Sequence, residues 1–204
     1  MIKSIISTFE LEKKLLTDGF KIIIGIDEAG RGPLAGPVVA CAAALKNFDP
    51  GSMSHENFNL VRDSKTLSEK QRENIFDFII ENFHVGIGIC NHETIDRINI
   101  LEASFLAMKK SVTDLSMKIK IRDAKHIILV DGNKKIPNLS QEQKAIVSGD
   151  KHVKSISAAS IIAKVTRDRI MQGMHEKFPQ YQFDRHKGYG TKAHGFDIVF
   201  AEPD

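Results

Sequence analysis

The sequence lacks the features that mark a secreted, zinc-binding or membrane-spanning protein. Its only two cysteines, Cys41 and Cys90, lie in apolar segments without a CxxC pair or a histidine cluster, so neither a disulfide framework nor a zinc site is predicted. No apolar run approaches the roughly 18 residues of a membrane helix, and the amino-terminal segment becomes charged too soon for a secretory signal. These absences predict a cytoplasmic protein without membrane association.

Internal repeats, low-complexity tracts and polar linkers are also missing, which favours a single domain over residues 1–204. The chain is 42% hydrophobic and 27% charged, close to the average of soluble globular proteins. A domain of this length buries about 70% of the surface that its unfolded chain exposes. A hydrophobic core can therefore hold the fold together without cross-links.

The charge is distributed unevenly along the chain. The net charge is +3, but residues 134–192 hold 12 basic and 5 acidic side chains, a balance of +7 that leaves −4 for the rest. Such asymmetry is compatible with a polyanionic partner. A solvated basic face explains it equally well, so charge alone does not decide between the two.

Apolar and β-branched runs predict strands at residues 21–27 (KIIIGID), 37–45, 84–90 and 126–130 (HIILV). The first three follow one another and are predicted to form an antiparallel meander, because the loop between the first two is short.

Helices are predicted at residues 9–16, 69–82 and 156–174, and along a heptad-like stripe that lies against the sheet. Capping boxes mark the start of the first two helices, Ser7 with Glu10 and Ser68 with Gln71. The stripe consists of Leu101, Phe105, Met108, Val112 and Leu115.

Two of the predicted strands end in acidic residues, Asp27 and Glu28 after the first and Asp131 after HIILV. A carboxylate at a strand end lies at the rim of a sheet, where α/β folds build their sites, although aspartate there is also a common turn former. Clustered carboxylates without Cys or His partners favour Mg²⁺ or Mn²⁺ over zinc.

Three further aspartates have structural explanations. Asp150 precedes the long helix, where its charge favours the helix dipole. Asp63 precedes a capping box, and Asp168 lies within a helix between Arg167 and Arg169, where solvated pairing is sufficient.

Two loops have the composition of ligand-binding segments. Residues 29–37 (AGRGPLAGP) surround Arg31 with glycines, which allow the backbone to approach a ligand closely, and arginine binds phosphate bidentately. The loop does not match GxGxxG, so a dinucleotide site is not supported. Residues 186–192 place Tyr189 among cations, which suits nucleic acid, although a solvated loop has the same composition.

Together these segments resemble ribonuclease HII, the type 2 ribonuclease H. The resemblance runs from about residue 21 to residue 194, in family order. Its motifs are GIDEAGRGPLAGPVV at 25–39, DSKTL at 63–67, VDGN at 130–133, GDK at 149–151, AASIIAKVTRD at 158–168 and HKGYGT at 186–191.

The resemblance implies an α/β fold, with a ribonuclease H-like mixed five-stranded sheet flanked by helices and a helical carboxy-terminal portion from about residue 155. It implies an endoribonuclease that hydrolyses RNA in RNA–DNA hybrids and nicks duplex DNA 5′ to an embedded ribonucleotide. Such an enzyme uses a divalent metal, Mg²⁺ or Mn²⁺, with two ions during catalysis. Its partners would be hybrids and ribonucleotide-containing duplex DNA, and it would act as a monomer in removing misincorporated ribonucleotides and RNA primers.

The resemblance also implies roles for individual residues. The catalytic, metal-binding acids would be Asp27, Glu28, Asp131 and Asp150, while Asp63 and Asp168 keep their structural interpretation. The substrate-binding residues would be Gly30, Arg31 and Gly32 at the 2′-hydroxyl and junction phosphates, Tyr189 against a sugar, and Lys65 and Lys187 at phosphates.

The carboxy-terminal end departs from the family, whose members continue with a further helix and a basic tail, whereas residues 195–204 here are short and acidic. We therefore expect a weaker grip on duplex or lower stability. One alternative, ribonuclease HIII, carries an additional amino-terminal domain, which the roughly 20 residues before the first strand are too few to form. A second alternative, a non-catalytic hybrid-binding module, would gain nothing from carboxylates beside phosphate.

Overall fold

The computed structural model describes residues 7–48, 56–119 and 124–190, and within them one mixed five-stranded sheet. The strand order is β3-β2-β1-β4-β5. The first three strands are antiparallel, whereas β4 is parallel to β1 and β5 is parallel to β4. The strands are β1 (Ile22–Ala29), β2 (Val38–Leu45), β3 (Phe83–Cys90), β4 (His126–Asp131) and β5 (Gln143–Ile146).

Helices flank both faces of this sheet, and short 3-10 turns lie at Glu56–Leu60, Ser64–Thr66 and Pro179–Tyr181. The helices are α1 (Glu10–Thr17), α2 (Glu69–Asn82), α3 (His92–Ile98), α4 (Ile100–Lys118), α5 (Gly149–His152), α6 (Lys154–Lys177) and α7 (Phe183–His186). No helix of the described ranges is both long enough and apolar enough to cross a membrane.

The core has two layers because β2 is covered on both faces. All eight residues of β2 are buried. Its odd-numbered side chains, such as Cys41 and Ala43, pack in the same cluster as α6, and its even-numbered ones, such as Ala40 and Ala42, pack with α4. This double burial explains why β2 reads as a continuous apolar run rather than an alternating one.

Helix α6 begins directly against β1. A Cβ placed at Gly25 would lie only 2.2 Å from the backbone carbonyl carbon of Ser155, so only glycine fits there. The close contact brings the first turns of α6 beside the carboxyl end of β1.

Most of the predicted elements are confirmed. The meander β1-β2-β3 and the stripe on α4 are present, and α2 begins at the Ser68–Gln71 capping box. The Ser7–Glu10 capping box is wrong, because the Ser7 hydroxyl donates to the carbonyl of Val61 at 2.7 Å and α1 begins without a side-chain cap. Both cysteines are buried and free, as expected.

Several short elements were not predicted from the residue pattern, among them β5 and α3. Strand β5 has four residues and none of them is buried, so it lacks an apolar signal, and α3 buries no residue at all. The helical carboxy-terminal portion is present as α6 and α7, while the acidic end at 195–204 lies outside the described residues.

Candidate active site

The parallel pairing of β1 and β4 brings three acids to one edge of the sheet. Ile26 of β1 lies opposite Val130 of β4, so the residues that follow each of them, Asp27 and Asp131, come out side by side. Glu28 is next to Asp27, and its backbone N–H donates to Asp27 Oδ1 at 2.7 Å. The predicted juxtaposition of strand-end acids is therefore present.

Asp150 reaches the same edge from a different part of the chain. Strand β5 pairs with β4 so that Ile146 lies opposite Asp131, and Asp150 follows in the short helix α5. The backbone N–H of Asp150 donates to Asp131 Oδ1 at 3.3 Å, and its side chain is buried. Asp150 thus lies beside the other acids, in the first turn of α5, and is more than a charge that precedes the long helix.

The electrostatics of these acids show that their negative charges are close and incompletely balanced. Burial raises the pKa of Asp27 well above its ordinary value, and the neighbouring charges of Glu28 and Asp131 raise it further. Burial and the charge of Asp150 likewise raise the pKa of Asp131. Like charges held together in a poorly solvated position create a strong attraction for a cation.

Two cationic side chains contact the outer acids. Arg31 Nη1 lies 3.1 Å from Glu28 Oε1, and Lys65 Nζ lies 3.4 Å from Asp150 Oδ2. Both cations are largely exposed, at 51% and 80% of the side chain. In this arrangement, no three acidic, histidine or cysteine side chains within the described residues converge on a single ion position. Carboxylate oxygens are the donors that Mg²⁺ and Mn²⁺ prefer, and one or two carboxylates hold such an ion when water and substrate oxygens complete its coordination.

An open cleft of about 510 Å³ extends from the acids across both predicted binding loops. Tyr189 borders the glycine loop, since a Cβ on Gly32 would lie 3.6 Å from its ring. Among the predicted site residues, the cleft lining includes Asp27, Glu28, Gly30, Arg31, Gly32, Lys65, Asp131 and Tyr189.

Lys187 does not line this cleft. Its Nζ donates to the carbonyl of Asp184 at 2.7 Å and lies 3.7 Å from Glu69 Oε1. Its assignment as a phosphate contact stays a prediction, and it requires the side chain to turn away from these partners.

Sequence reasoning assigned no role to three polar residues that line the cleft, Ser64, Ser160 and Lys164. Ser160 shares a 2.9 Å hydrogen bond with Ser64, and its hydrogen bond to Asp27 partly offsets the rise in the pKa of that acid. The available signal was the spacing of Ser160 and Lys164, which lie one turn apart on α6.

The two aspartates interpreted as structural differ from each other. Asp63 caps the 3-10 turn after it, since its side chain accepts from the N–H of Lys65 at 2.9 Å. For Asp168, the prediction of solvated pairing with its flanking arginines is wrong. Asp168 is buried and pairs with Lys164 at 2.7 Å and Arg72 at 3.7 Å, because the helix directs its side chain inward, toward α2.

The fold and the site define the class of protein: a mixed sheet with acids at the ends of two parallel strands, beside a basic and aromatic cleft, is the arrangement of a ribonuclease H-type endonuclease. A sequence model described as ribonuclease HII matches residues 24–201. A ribonuclease HII of Fusobacterium nucleatum is 51% identical over 176 residues, which cover 86% of this chain and 78% of that protein. The chain therefore belongs to the ribonuclease HII family, whose members are endoribonucleases acting on RNA–DNA hybrids.

Solved structures agree with this assignment. The ribonuclease H2 of Pyrococcus horikoshii superposes with a TM-score of 0.66 at 28% identity, over 88% of this chain and 85% of that one. Bst-RNase HIII, crystallised with Mn²⁺, has a TM-score of 0.68 at 18% identity, over 89% of this chain and 70% of that one. The second likeness concerns the fold alone.

Proposed function

We propose that this protein hydrolyses the RNA strand of RNA–DNA hybrids and also nicks duplex DNA 5′ to a single embedded ribonucleotide, leaving a 5′-phosphate and a 3′-hydroxyl. The observation that carries the proposal is the meeting of Asp27, Glu28, Asp131 and Asp150 at one edge of the sheet, beside a cleft that contains Arg31. Its physiological work would be the removal of misincorporated ribonucleotides and RNA primers, and a monomeric, single-domain cytoplasmic enzyme stays our prediction.

The four acids would hold two divalent cations, Mg²⁺ or Mn²⁺. When bound, such ions supply activation of the attacking water and stabilisation of the leaving oxygen. The raised pKa of Asp27 and Asp131 fits this role, because cations relieve the repulsion that burial and neighbouring charge create there. The Mn²⁺ in the Bst-RNase HIII crystal is compatible with the same choice of metal.

The two basic side chains at the site, Arg31 and Lys65, would exchange partners when substrate binds. Arg31 and Lys65 pair with Glu28 and Asp150 in the structure. Phosphates entering the cleft offer them new anionic partners, and their exposed side chains are free to turn. The acids released in this way become available as ligands.

Recognition of the ribonucleotide would come from the two loops that border the acids. Gly30 has a φ of +111°, a conformation that favours glycine. Because residues 30 and 32 carry no side chain, the backbone of residues 30–32 can approach a 2′-hydroxyl closely. Tyr189 offers its half-exposed ring to the adjacent sugar. The basic balance of residues 134–192 would hold the duplex backbone without sequence preference.

The test uses a labelled DNA duplex that carries one ribonucleotide, incubated with the protein and Mg²⁺ or Mn²⁺. We expect a single nick 5′ to the ribonucleotide, none on the all-DNA duplex, and none in EDTA. An Asp131→Asn variant should bind the duplex and leave it intact. Binding of the duplex by the wild type without cleavage, in either metal, would instead indicate a non-catalytic hybrid-binding module.

A further inference from the structure

Arg167 is an unusual residue of α6, because its buried guanidinium contacts no carboxylate of the described residues. It donates three hydrogen bonds of 2.9 Å, all to backbone carbonyls, of Pro37, Ala35 and Lys187. The side chain is among the largest that are fully buried. Burying a charge is costly unless hydrogen bonds compensate it. Among the described residues, the hydrogen-bond acceptors of this guanidinium all lie in two loops.

Those two loops are the ones that border the catalytic acids. Ala35 and Pro37 belong to the glycine loop at residues 29–37, and Lys187 belongs to the segment that carries Tyr189. The loops also contact each other directly, since the N–H groups of Leu34 and Ala35 donate to the carbonyl of Gly188 at 2.8 and 3.3 Å. Arg167 therefore joins, through three hydrogen bonds, two segments that are about 150 residues apart in sequence.

The glycine loop is pressed closely onto this side chain. A Cβ on Gly30 would lie 2.7 Å from Arg167 Nε, and one on Gly36 would lie 3.1 Å from Arg167 Nη2 and 2.4 Å from Met171 Sδ. The glycines thus make room for α6 as well as for a ligand, and the position of the loop is determined by the helix beneath it.

We propose that Arg167 is a positioning residue that sets the selectivity for a single ribonucleotide, by holding the glycine loop and Tyr189 in one fixed relation. The Arg167 Cζ lies 5.9 Å from the centre of the Tyr189 ring. Arg167 also donates a hydrogen bond to Lys187, two residues before Tyr189 in the sequence. This inference rests on the proposed function, in which the glycine loop reads the 2′-hydroxyl and Tyr189 contacts the next sugar.

The duplex with one ribonucleotide and the continuous RNA–DNA hybrid depend to different degrees on the relative position of the glycine loop and Tyr189. A duplex with one ribonucleotide has one productive register, which both loops must recognise at once. A continuous hybrid presents a 2′-hydroxyl at every position, so several registers are productive and a small displacement of one loop matters less. Loss of the hydrogen bonds of Arg167 should therefore affect the single-ribonucleotide substrate far more.

The first measurement compares kcat/KM on these two substrates for Arg167→Lys. Lysine keeps the charge but lacks the planar fork that reaches three carbonyls. We expect kcat/KM to fall at least about tenfold on the single-ribonucleotide duplex and within about twofold on the continuous hybrid. The matched control is Arg169→Lys, whose guanidinium pairs with Glu73 on the exposed side of the same helix and which should change neither value.

The second measurement observes the tyrosine itself. The sequence has no tryptophan and only two tyrosines, so a Tyr181→Phe background leaves Tyr189 as the sole emitter. Tyr181 stacks on Phe183 through its ring, an interaction that phenylalanine retains. We expect the anisotropy of Tyr189 fluorescence to fall, and its quenching by acrylamide to rise, when Arg167→Lys is added to this background.

Several outcomes would overturn the inference. Equal losses on both substrates with unchanged anisotropy would mean that Arg167 only stabilises the fold, and unchanged activities would mean that its hydrogen bonds have no role in selectivity. If Arg167→Lys does not fold, Gly36→Ala applies the same test, because its Cβ would push the loop away from an intact Arg167. A wild type that does not nick the single-ribonucleotide duplex would refute the proposed function itself, while the anisotropy would still report the effect of Arg167 on Tyr189.

Discussion

Two of the places where this molecule buries carboxylates, the carboxyl ends of β1 and β4 and the inner face of α1, differ in their environments. At the strand ends, Asp27 lies among other acids that raise its pKa together with burial. Beneath α1, Glu12 accepts from the backbone N–H and the hydroxyl of Ser155 at 2.9 and 3.0 Å. In the first region several acidic side chains lie close together, whereas in the second a carboxylate accepts hydrogen bonds from two donors of the protein.

Lys154 completes the second region. Its Nζ donates to the carbonyls of Phe58 and Val61 at 2.7 and 2.9 Å. Burial raises the pKa of Glu12, and the hydrogen bonds from Ser155 and the charge of Lys154 offset part of that rise. These contacts attach α1 and the 3-10 turn at Glu56–Leu60 to the start of α6. The comparison teaches that burial of a carboxylate does not by itself indicate a functional site; what distinguishes the two is whether the protein supplies the compensating partner or leaves it to a ligand.

The largest effect is expected when one of the acids at the strand ends is replaced by its neutral amide. We expect Asp27→Asn to lower the rate of cleavage by about 10³-fold, since a lost metal ligand removes several kcal/mol of transition-state stabilisation. In EDTA the same change should raise the free energy of unfolding by about 1–2 kcal/mol, because repulsion among the acids is relieved. The measurements are cleavage rates and urea denaturation, with the exposed Asp96→Asn as control. A destabilised Asp27→Asn protein in EDTA would contradict the comparison.

Removing the paired carboxylate should have the opposite effect on stability. We expect Glu12→Ala to lower the free energy of unfolding by about 3 kcal/mol, because it leaves the buried donors of Ser155 without their acceptor and removes the negative charge near Lys154. Cleavage at a temperature well below the unfolding midpoint should be unchanged. Urea denaturation measures the loss, and Glu10→Ala, an exposed position on the same helix, serves as control. A loss no larger than that of the control would mean that the pairing is not structural.

A smaller effect is expected in the pH dependence of stability. Burial lowers the pKa of Lys154 to about 8, so the folded protein gives up this proton at a lower pH than the unfolded chain, whose lysines titrate near 10.5. Between those values the unfolded state binds more protons, and the contribution of Lys154 to stability rises with pH by about 1 kcal/mol per unit.

The measurement compares denaturation of the wild type and Lys154→Met from pH 8 to pH 10. The variant should lack this rise, whereas the exposed Lys151→Met should keep it. Parallel curves for the wild type and Lys154→Met would show that the ammonium of Lys154 is not destabilised by burial.

Local signals were sufficient for much of the fold. The β-branched and apolar runs of β1 to β4, and the Ser68–Gln71 capping box of α2, follow from the residues because backbone conformation there agrees with side-chain preference. Strand β5 was missed because its packing partner on one side, β4, supplies the stabilisation that its own residues do not. The Ser7–Glu10 box failed because a distant carbonyl, that of Val61, takes the hydroxyl of Ser7.

Some residues of the candidate site could likewise be predicted from local sequence, and others could not. Asp27, Glu28 and Asp131 follow from strands that end in acids, and the residues alone indicated a site for a hard divalent cation. Asp150 was ambiguous from its local sequence, and only the family resemblance placed it with the other acids. The register of β5 against β4 is what brings it there, and register is a property of the sheet rather than of the segment.

The sequence by itself determined which residues are apolar, which strands end in acids and which family motifs are present, and these are local properties that do not depend on what packs against them. Only the tertiary structure decided the partners of each charge. Asp168 pairs with Lys164 and Arg72, and Glu12 accepts a hydrogen bond at the start of α6. Arg167 donates to backbone carbonyls of two loops that are distant in sequence. The physical reason is that the free energy of a buried charge depends on neighbours far away in sequence, which exist only once the chain has folded.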